Sequence, residues 1–424
     1  MGCNNEKIYN DSSYPETHNL SWMKNIPDDT KISEMTIPGT HNSCALYGIC
    51  CARTQTWTLL EQMKAGIRFF DIRLRLYNNT LRAFHGFVDQ IDTFDVILLY
   101  AIQFLNQNPS ETIIMQIITE YTPKNCTKKM PELYEEYTLN YKNNIYEYDF
   151  NNEDITLGDI RGKIFIIKIF NRSTKRVPNF FIQNEWTINC RLCINKKKRR
   201  IKENFHRAIV SKNNKNIFLN YLSASSDYGM MTPYTAAKKC NKIAMKFHGR
   251  LGIVLADYPG ENLIKHLIDQ NFINPEEKEV IKNGDLVYFI HNDTYKYLYL
   301  DKNPEDNNNI YCVKEPEPLI IRHKDTQIGR DTFKVNDFIV LIGRDGYQYE
   351  FQIGKTFSGN EEIIDEKSII MIQVLKNGKM KYLENCYENK NKKKHYLFNF
   401  SNSPGSYESY FFIQKAKPLN VNTS

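Results

Sequence analysis

The chain has 424 residues, a formal net charge of +7, 41% hydrophobic and 25% charged residues. This balance excludes a disordered or fibrous protein, and the length favours two domains, one of them large enough to form a barrel. No run of about 18 uncharged apolar residues occurs, and the N-terminus lacks the basic-then-apolar pattern of a secretory signal. We therefore expect a protein that is soluble or peripheral at a membrane surface, while its compartment stays open.

The first large region, about residues 31–273, alternates short apolar runs with stretches of helical periodicity. This alternation is typical of β/α units around a parallel sheet. The predicted strands are 34–37, 68–76, 81–84, 112–118, 163–169, 216–222 and 252–256, and the clearest predicted helices are 93–106 and 233–247. We predict an α/β fold, a distorted TIM (β/α)₈-type barrel.

After residue 274 the pattern changes to closely spaced strands separated by turn signals. Three similar strand-turn-strand segments begin at Asp285, Asp337 and Ser368, so we predict an all-β domain of β-trefoil type, with a β-sandwich as the alternative. The predicted organisation is an N-terminal tail (1–21), a catalytic barrel (22–274), an all-β accessory domain (283–417) and a C-terminal tail (418–424).

Basic residues concentrate at 196–200 and 390–394. We interpret both runs as solvated loops, which a surface that meets anionic lipid would also favour. Nucleic acid is not an expected partner, because no reader motif accompanies the charge. Cys190-x-x-Cys193 is a single pair, so we interpret its cysteines as unrelated thiols and expect no metal.

The segment RFFDIRLRL predicts a strand in which Asp71, Arg73 and Arg75 share one face. On an exposed antiparallel strand this face would simply meet solvent. In a barrel both faces are covered, so inward charges need partners or a function. Both interpretations stay open from the strand alone.

His41 follows an apolar strand in IPGTHNS, and His85 similarly ends the segment RAFH. These are positions at which barrel enzymes carry catalytic groups, although either histidine alone could be structural. Asp257 ends the apolar strand in VLADY, where a carboxylate also commonly caps the next helix.

Six ordered blocks carry a more specific signal: WMKNIPDDTKISEMTIPGTHNS, FFDIRLRL, FHG, FLNQNPSETIIMQIITEY, LGDIRGKIFIIK and VLADY. Over about residues 22–271 the chain resembles the bacterial phosphatidylinositol-specific phospholipases C. The resemblance implies a distorted TIM barrel and a metal-independent, cofactor-free cleavage of phosphatidylinositol, or a glycosylated form of it. The products would be diacylglycerol and inositol 1,2-cyclic phosphate, and the partner would be a phospholipid membrane.

By the same resemblance His41 is the general base, oriented by Asp257, and His85 is the general acid. Arg73 holds the phosphate in place of a metal ion, and Asp71 braces Arg73. A guanidinium fork matches two phosphate oxygens, and an imidazole exchanges protons near neutral pH, so the residue types suit these roles.

The sequence departs from the bacterial pattern at three positions. Asn42 stands where those enzymes have an aspartate that assists the acid, and Ile118 and Ile169 stand where they contact inositol. Glu120 and Lys168 are retained as substrate-binding candidates. Two alternatives therefore stay open: a catalytically weak or inactive lipid-binding protein, and a phosphodiesterase for a different glycerophospholipid head group.

Overall fold

The computed structural model divides the chain into two compact units, residues 1–273 and 274–424, which we describe separately. The residues described in the first unit are 8–9, 14–147, 155–170, 180–189, 191–211, 216–226 and 231–272. Those described in the second are 282–283, 285–291, 297–300, 310–313, 319–323, 337–342, 348–356, 369–376, 379–388, 396–401 and 410–415. Among these residues no helix has the length and apolar character needed to cross a membrane.

The first unit is built on one sheet. Its strands are β1 (Ile37–Thr40), β2 (Phe69–Tyr77), β3 (Thr80–His85), β4 (Val88–Thr93), β5 (Ile113–Thr119), β6 (Ile145–Glu147), β7 (Ile164–Ile169), β8 (Phe180–Gln183), β9 (Ile217–Tyr221) and β10 (Ile253–Ala256). Eight strands run parallel in the order β6-β7-β5-β2-β1-β10-β9-β8, and the hairpin β3–β4 continues antiparallel from β2. Their side chains supply nearly half of the residues of a continuous apolar core.

Helices lie between the strands: α1 (Leu59–Ala65), α2 (Phe94–Gln107), α3 (Met130–Thr138), α4 (Leu157–Ile160), α5 (Arg191–Val210), α6 (Pro233–Ala244) and α7 (Glu261–Asp269). Local sequence fixes several of their ends. The Thr58 hydroxyl accepts from the Glu61 N–H at the start of α1, and Gly66, with φ of 115°, ends it. Thr232 and Pro233 start α6 in the same way.

The α/β class and the parallel sheet are confirmed, and among the described residues the sheet is a curled half-barrel. Within the described residues the edge strands β6 and β8 do not pair with each other. Both edges are short, three and four residues, and offer few groups for closure. Residues 171–179, which join β7 to β8, lie outside the described residues.

Most predicted elements lie within one residue of the observed ones, but the first strand is displaced. It was predicted at 34–37 and begins at Ile37, because residues Ile32–Glu34 form a 3₁₀ turn. The helix predicted at 233–247 ends at Ala244. The short strands β4, β6 and β8 were missed.

The interpretation of 196–200 as a loop is wrong, because these residues lie inside α5. The helix buries Ile194, Lys197, Ile201 and Phe205, which recur at helical spacing, so Lys197 falls on the apolar face. Burial lowers the pKa of Lys197 to about 8. The second basic run, 390–394, lies outside the described residues. Cys193 is disulfide-bonded, so it is not the free thiol that we expected.

The second unit is an antiparallel all-β unit with strands β11 (Leu286–His291), β12 (Tyr297–Leu300), β13 (Ile310–Val313), β14 (Leu319–His323), β15 (Phe338–Ile342), β16 (Gln348–Thr356), β17 (Ile369–Lys376), β18 (Lys379–Glu388), β19 (Tyr396–Ser401) and β20 (Tyr410–Lys415). Six of them pair in a closed ring, β11-β14-β15-β16-β17-β20 and back to β11. Alternate residues are buried, as in Val287 and Phe289 of β11 or Ile339 and Leu341 of β15, so the ring encloses its own core.

Candidate active site

The carboxyl ends of the parallel strands surround a cavity of about 490 Å³. Its lining includes His41, Asn42, Arg73, His85, Ile118, Glu120, Asn184, Trp186, Ser223 and Asp257. Ile118 belongs to β5 and Asn184 follows β8, strands that lie far apart along the sheet. Because both reach the same cavity, the sheet must curl around it.

His41 and Asp257 lie side by side because the strands that precede them, β1 and β10, are paired along their whole length up to their last residues. Thr40 of β1 lies opposite Ala256 of β10, so the next residue of each chain segment emerges at the same level. His41 Nδ1 lies 2.8 Å from Asp257 Oδ1, and the Gln55 amide donates to the His41 carbonyl at 2.8 Å. The carboxylate is buried and accepts a hydrogen bond from Nδ1–H, which leaves Nε2 as the basic nitrogen. The alternative role of Asp257, as a helix cap, is wrong: the residue that caps α7 is Gly260.

Arg73 contacts His41 and has a carboxylate near each terminal nitrogen of its guanidinium. Its Nη2 lies 3.0 Å from His41 Nε2 and 3.1 Å from Asp71 Oδ2, and its Nη1 lies 3.7 Å from Glu120 Oε2. Burial opposes the charge of Arg73, but the two carboxylates outweigh it and raise the pKa of Arg73. Burial also opposes ionisation of Asp71, yet Arg73 holds the pKa of Asp71 below its ordinary value. The cavity therefore keeps a fixed cation.

His85 is held differently. Its Nδ1 lies 2.6 Å from the Ala52 carbonyl, which identifies that nitrogen as the protonated one. The following residue, Gly86, donates its backbone N–H to Glu120 Oε1 at 2.9 Å. Burial lowers the pKa of His85, and the charges of His41 and Arg73 act in the same direction, against the Ala52 hydrogen bond.

Asn42 lies on the His41 side of the cavity. Its Nδ2 is 3.5 Å from His41 Nε2, and its backbone N–H donates to Asp71 Oδ2 at 3.2 Å. Its φ of 44° is left-handed, a conformation that asparagine adopts more readily than most residues. Asn42 Oδ1 and the Ser223 hydroxyl are both buried, and neither has a hydrogen-bond partner within the described part of the chain.

Three of the residues that the sequence singled out face elsewhere. Lys168 pairs with Glu147 at 2.6 Å and does not line the cavity. Arg75 donates to the Thr122 carbonyl at 2.7 Å. Ile169 is paired with Ile118 in the sheet but is not part of the lining. Ile118 does line it, beside its register partner Arg73 on β2.

The lining residues that the sequence did not predict include Asn184, Trp186 and Ser223. Asn184 and Trp186 follow β8, and Ser223 follows β9. Trp186 is 52% exposed, so it offers an aromatic face at the edge of the cavity. The available signal was their place just after a strand, but β8 itself was not predicted.

Chemically, the cavity combines an imidazole paired with a carboxylate, a second imidazole and a guanidinium. Such a set can remove one proton, deliver another and hold an anion in the middle.

Comparison with known proteins gives the same picture. The family "Phosphatidylinositol-specific phospholipase C, X domain" matches residues 29–169. The 1-phosphatidylinositol phosphodiesterase of Listeria monocytogenes is 30% identical over 284 residues, which cover 60% of this chain and 85% of the relative. The solved structure of the phosphatidylinositol-specific phospholipase C from L. monocytogenes superposes with a TM-score of 0.53, at 29% identity, over 60% of this chain and 99% of its own.

A solved structure of the Staphylococcus aureus phosphatidylinositol-specific phospholipase C superposes equally well. That structure is described as one on the modulation of the membrane binding of the S. aureus enzyme. Its TM-score is 0.53 at 26% identity, over 60% of this chain and 98% of its own. The similarity covers most of the length of these relatives, and the family match at residues 29–169 falls in the first unit, where the cavity lies. The chain belongs to the phosphatidylinositol-specific phospholipase C family.

Proposed function

We propose that the protein is a phospholipase C that cleaves phosphatidylinositol, or a glycosylated form of it, to diacylglycerol and inositol 1,2-cyclic phosphate. The observation that carries this proposal is that His41, His85 and Arg73 line one cavity, with Arg73 in contact with His41 at 3.0 Å. The 1-phosphatidylinositol phosphodiesterase activity named for the L. monocytogenes relative supports it.

In the proposed reaction His41 is the base. Its Nε2 takes the proton of the inositol 2-hydroxyl, and the oxygen attacks phosphorus. The Asp257 carboxylate then stabilises the imidazolium across the 2.8 Å contact.

His85 is the acid of the proposed reaction, and it gives a proton from Nε2 to the departing diacylglycerol oxygen. Its Nδ1 already donates to the Ala52 carbonyl, so the imidazole must acquire a second proton before each turnover. Arg73 binds two phosphate oxygens and offsets the charge that grows as phosphorus becomes pentacoordinate. Asp71 holds the guanidinium in place through contacts at 3.1 and 3.3 Å.

The walls of the cavity bear on the head group. Ser223 and Asn42 each offer a buried oxygen without a partner among the described residues, and sugar hydroxyls are suitable partners. Trp186 offers a face on which the ring of a sugar can pack. Ile118 makes the wall next to Arg73 apolar, so we assign inositol recognition to Ser223, Asn42 and Trp186 rather than to Lys168.

The proposal is tested by product analysis with phosphatidylinositol vesicles in excess EDTA. We expect diacylglycerol and the cyclic inositol phosphate, because Arg73 supplies the cation. Another phosphate product would indicate a different phosphodiesterase, binding without turnover would indicate a lipid-binding protein, and an absolute calcium requirement would contradict the role of Arg73.

For the second unit we propose a β-trefoil that contacts the membrane or a glycan. Each third contributes two strands to the six-stranded ring, and the hairpins β12–β13 and β18–β19 stand outside it in the first and last thirds. The three similar sequence segments begin at β11, β15 and β17, one for each third. Truncation after residue 274 should then weaken vesicle binding more than hydrolysis of a soluble substrate, provided that circular dichroism shows a folded first unit.

A further inference from the structure

Lys197 is a fully buried lysine that the proposed reaction does not use. Its side chain is 0% exposed on the apolar face of α5. Its Nζ lies 3.4 Å from Gln183 Oε1, and within the described part of the chain it forms no salt bridge with a carboxylate. A buried ammonium without a paired carboxylate is costly, and a methionine would fill the same position without that cost. The ammonium therefore needs an electrostatic benefit elsewhere in the molecule.

The ionisable groups that face Lys197 come from three other elements. Glu185 follows β8, Cys240 belongs to α6 and Asp257 follows β10. Burial lowers the pKa of Lys197 to about 8, and these three groups act against that lowering. Burial raises the pKa of Cys240 to about 11, so its thiol is neutral at neutral pH, and Glu185 is paired with Lys196 at 2.7 Å. Among the described residues Asp257 is therefore the one buried, ionised group that faces Lys197.

Hydrogen bonds hold the surroundings of Lys197 to the strand that carries Asp257. Asn241 of α6 donates from Nδ2 to the Asp257 carbonyl at 3.1 Å. Gln183, the contact of Lys197, donates from Nε2 to the carbonyl of Tyr221, in the strand β9 that pairs with β10. Lys197 does not line the cavity, so it can act on the reaction through Asp257 and not by touching the substrate.

Asp257 connects Lys197 with the base of the proposed reaction, because Asp257 Oδ1 contacts His41 Nδ1 at 2.8 Å. A carboxylate beside an imidazole favours the protonated imidazole, and a cation near that carboxylate offsets part of this effect. Like charges also repel, so the Lys197 ammonium disfavours an imidazolium at His41. A base must be unprotonated before it can act, so the ammonium increases the fraction of His41 that is ready to react at low pH.

We propose that Lys197 is a positioning residue for His41: its buried ammonium acts through Asp257 to limit the proton affinity of the imidazole and keeps the base unprotonated to lower pH. This rests on the proposed function in one respect, the role of His41 as the base. The other charged or ionisable groups that face His41 stay in place when Lys197 is replaced; they are Arg73, Asp71 and His85.

Lys197→Met tests the charge, because methionine keeps an unbranched apolar side chain at this position. With a soluble inositol phosphodiester the maximum of kcat/KM should change at most a few-fold, but its fall at low pH should begin about half a unit to one unit higher in pH. Lys196→Met is the matched control, because Lys196 is exposed on the same helix and its loss should leave the profile in place. An unmoved profile of Lys197→Met, even with a raised KM or a lowered unfolding temperature, would overturn the proposal and show a structural role. So would equal shifts in both variants.

A second measurement needs no turnover. In protein labelled with ¹³C at the histidine Cε1, the His41 resonance is identified by its absence from His41→Ala. This resonance should titrate at higher pH in Lys197→Met than in the unaltered protein. The unaltered protein should also show a small second inflection near pH 8, where Lys197 loses its proton.

Equal titrations of the two proteins, or an unaltered protein without the second inflection, would overturn the proposal. The inflection keeps the test independent of the folding of the variant. Absence of hydrolysis of the soluble phosphodiester by the unaltered protein would refute the proposed function, and the NMR titrations would then decide on Lys197 alone.

Discussion

The two histidines face one cavity, but the two sides of that cavity are built from different partners. On the His41 side Nδ1 contacts the Asp257 carboxylate at 2.8 Å, and on the His85 side Nδ1 contacts the Ala52 carbonyl at 2.6 Å. A carboxylate stabilises an imidazolium by charge, whereas a carbonyl fixes the tautomer without adding charge. In the proposed reaction the partner of Nδ1 thus distinguishes the two histidines. The Asp257 carboxylate suits His41 to accept a proton, and the Ala52 carbonyl only fixes the tautomer of His85.

The largest expected effect comes from removing each histidine in turn. His41→Ala should lower turnover by at least about 10⁴-fold on any substrate, because the 2-hydroxyl loses its base. His85→Ala should lose about 10²- to 10⁴-fold with phosphatidylinositol, but no more than about tenfold with a phenolate leaving group, which needs little protonation. Steady-state rates with the two substrates measure both effects. Equal rescue of both variants by the phenolate substrate would show that the acid and the base are assigned wrongly.

Asp257→Asn tests the charge on the His41 side while it preserves size. We expect a loss of about 10³- to 10⁴-fold, because an amide can hold the wrong imidazole tautomer and cannot stabilise the imidazolium. The phenolate substrate should not restore this variant, since the defect concerns the base. A matched control is Asp269→Asn, because Asp269 pairs with Lys265 on the surface of α7 and should leave turnover unchanged. Near-normal turnover of Asp257→Asn would mean that this carboxylate only positions the chain.

Arg73→Lys tests the guanidinium that contacts His41 and Asp71 in the cavity. Lysine keeps the charge but lacks the fork that contacts Asp71 and two phosphate oxygens, so we expect a loss of about 10²- to 10³-fold in kcat. The control is Arg75→Lys, whose guanidinium contacts the Thr122 carbonyl outside the cavity. Comparable kinetics for the two variants would identify Arg73 as a structural residue.

The sequence predicted some residues of the cavity and not others. His41 and Asp257 follow strands of the parallel sheet, and His85 ends the antiparallel strand β3. Their positions at strand ends, together with the family resemblance, predicted that they belong to one site. Lys168 was misplaced because neighbouring residues of a strand face opposite ways, and its apolar neighbours on β7 give no indication of which face turns inward. Trp186 and Asn184 were missed because they follow β8, a four-residue edge strand that leaves almost no periodic signal.

Burial and contacts that depend on residues distant in the chain could also not be predicted from the sequence. Lys197 was interpreted with its basic neighbours as solvated, yet it takes an apolar position of α5, between Ile194 and Ile201. The Ala52 carbonyl at His85 was not predictable either, because any residue type supplies a carbonyl and only the fold selects which one. The side chains of the site, including the partner carboxylates Asp257 and Asp71, could therefore be predicted, whereas the backbone group at His85 could not.

Asn42→Asp should have the smallest effect, and it probes the difference between the two sides directly. Burial holds the pKa of His85 below its ordinary value near 6.5, and the acid must be protonated to act. Turnover with phosphatidylinositol should therefore fall as the pH rises through that lowered pKa, whereas turnover of the phenolate substrate should not show this fall.

A carboxylate at position 42 favours the protonated form of nearby imidazoles, so the pKa of His85 should rise. The fall in turnover should then move to higher pH, by about one unit or less. The maximum of the profile should change at most a few-fold. An unchanged profile would show that the carboxylate does not act on His85, and that the bacterial pattern at this position does not tune this cavity.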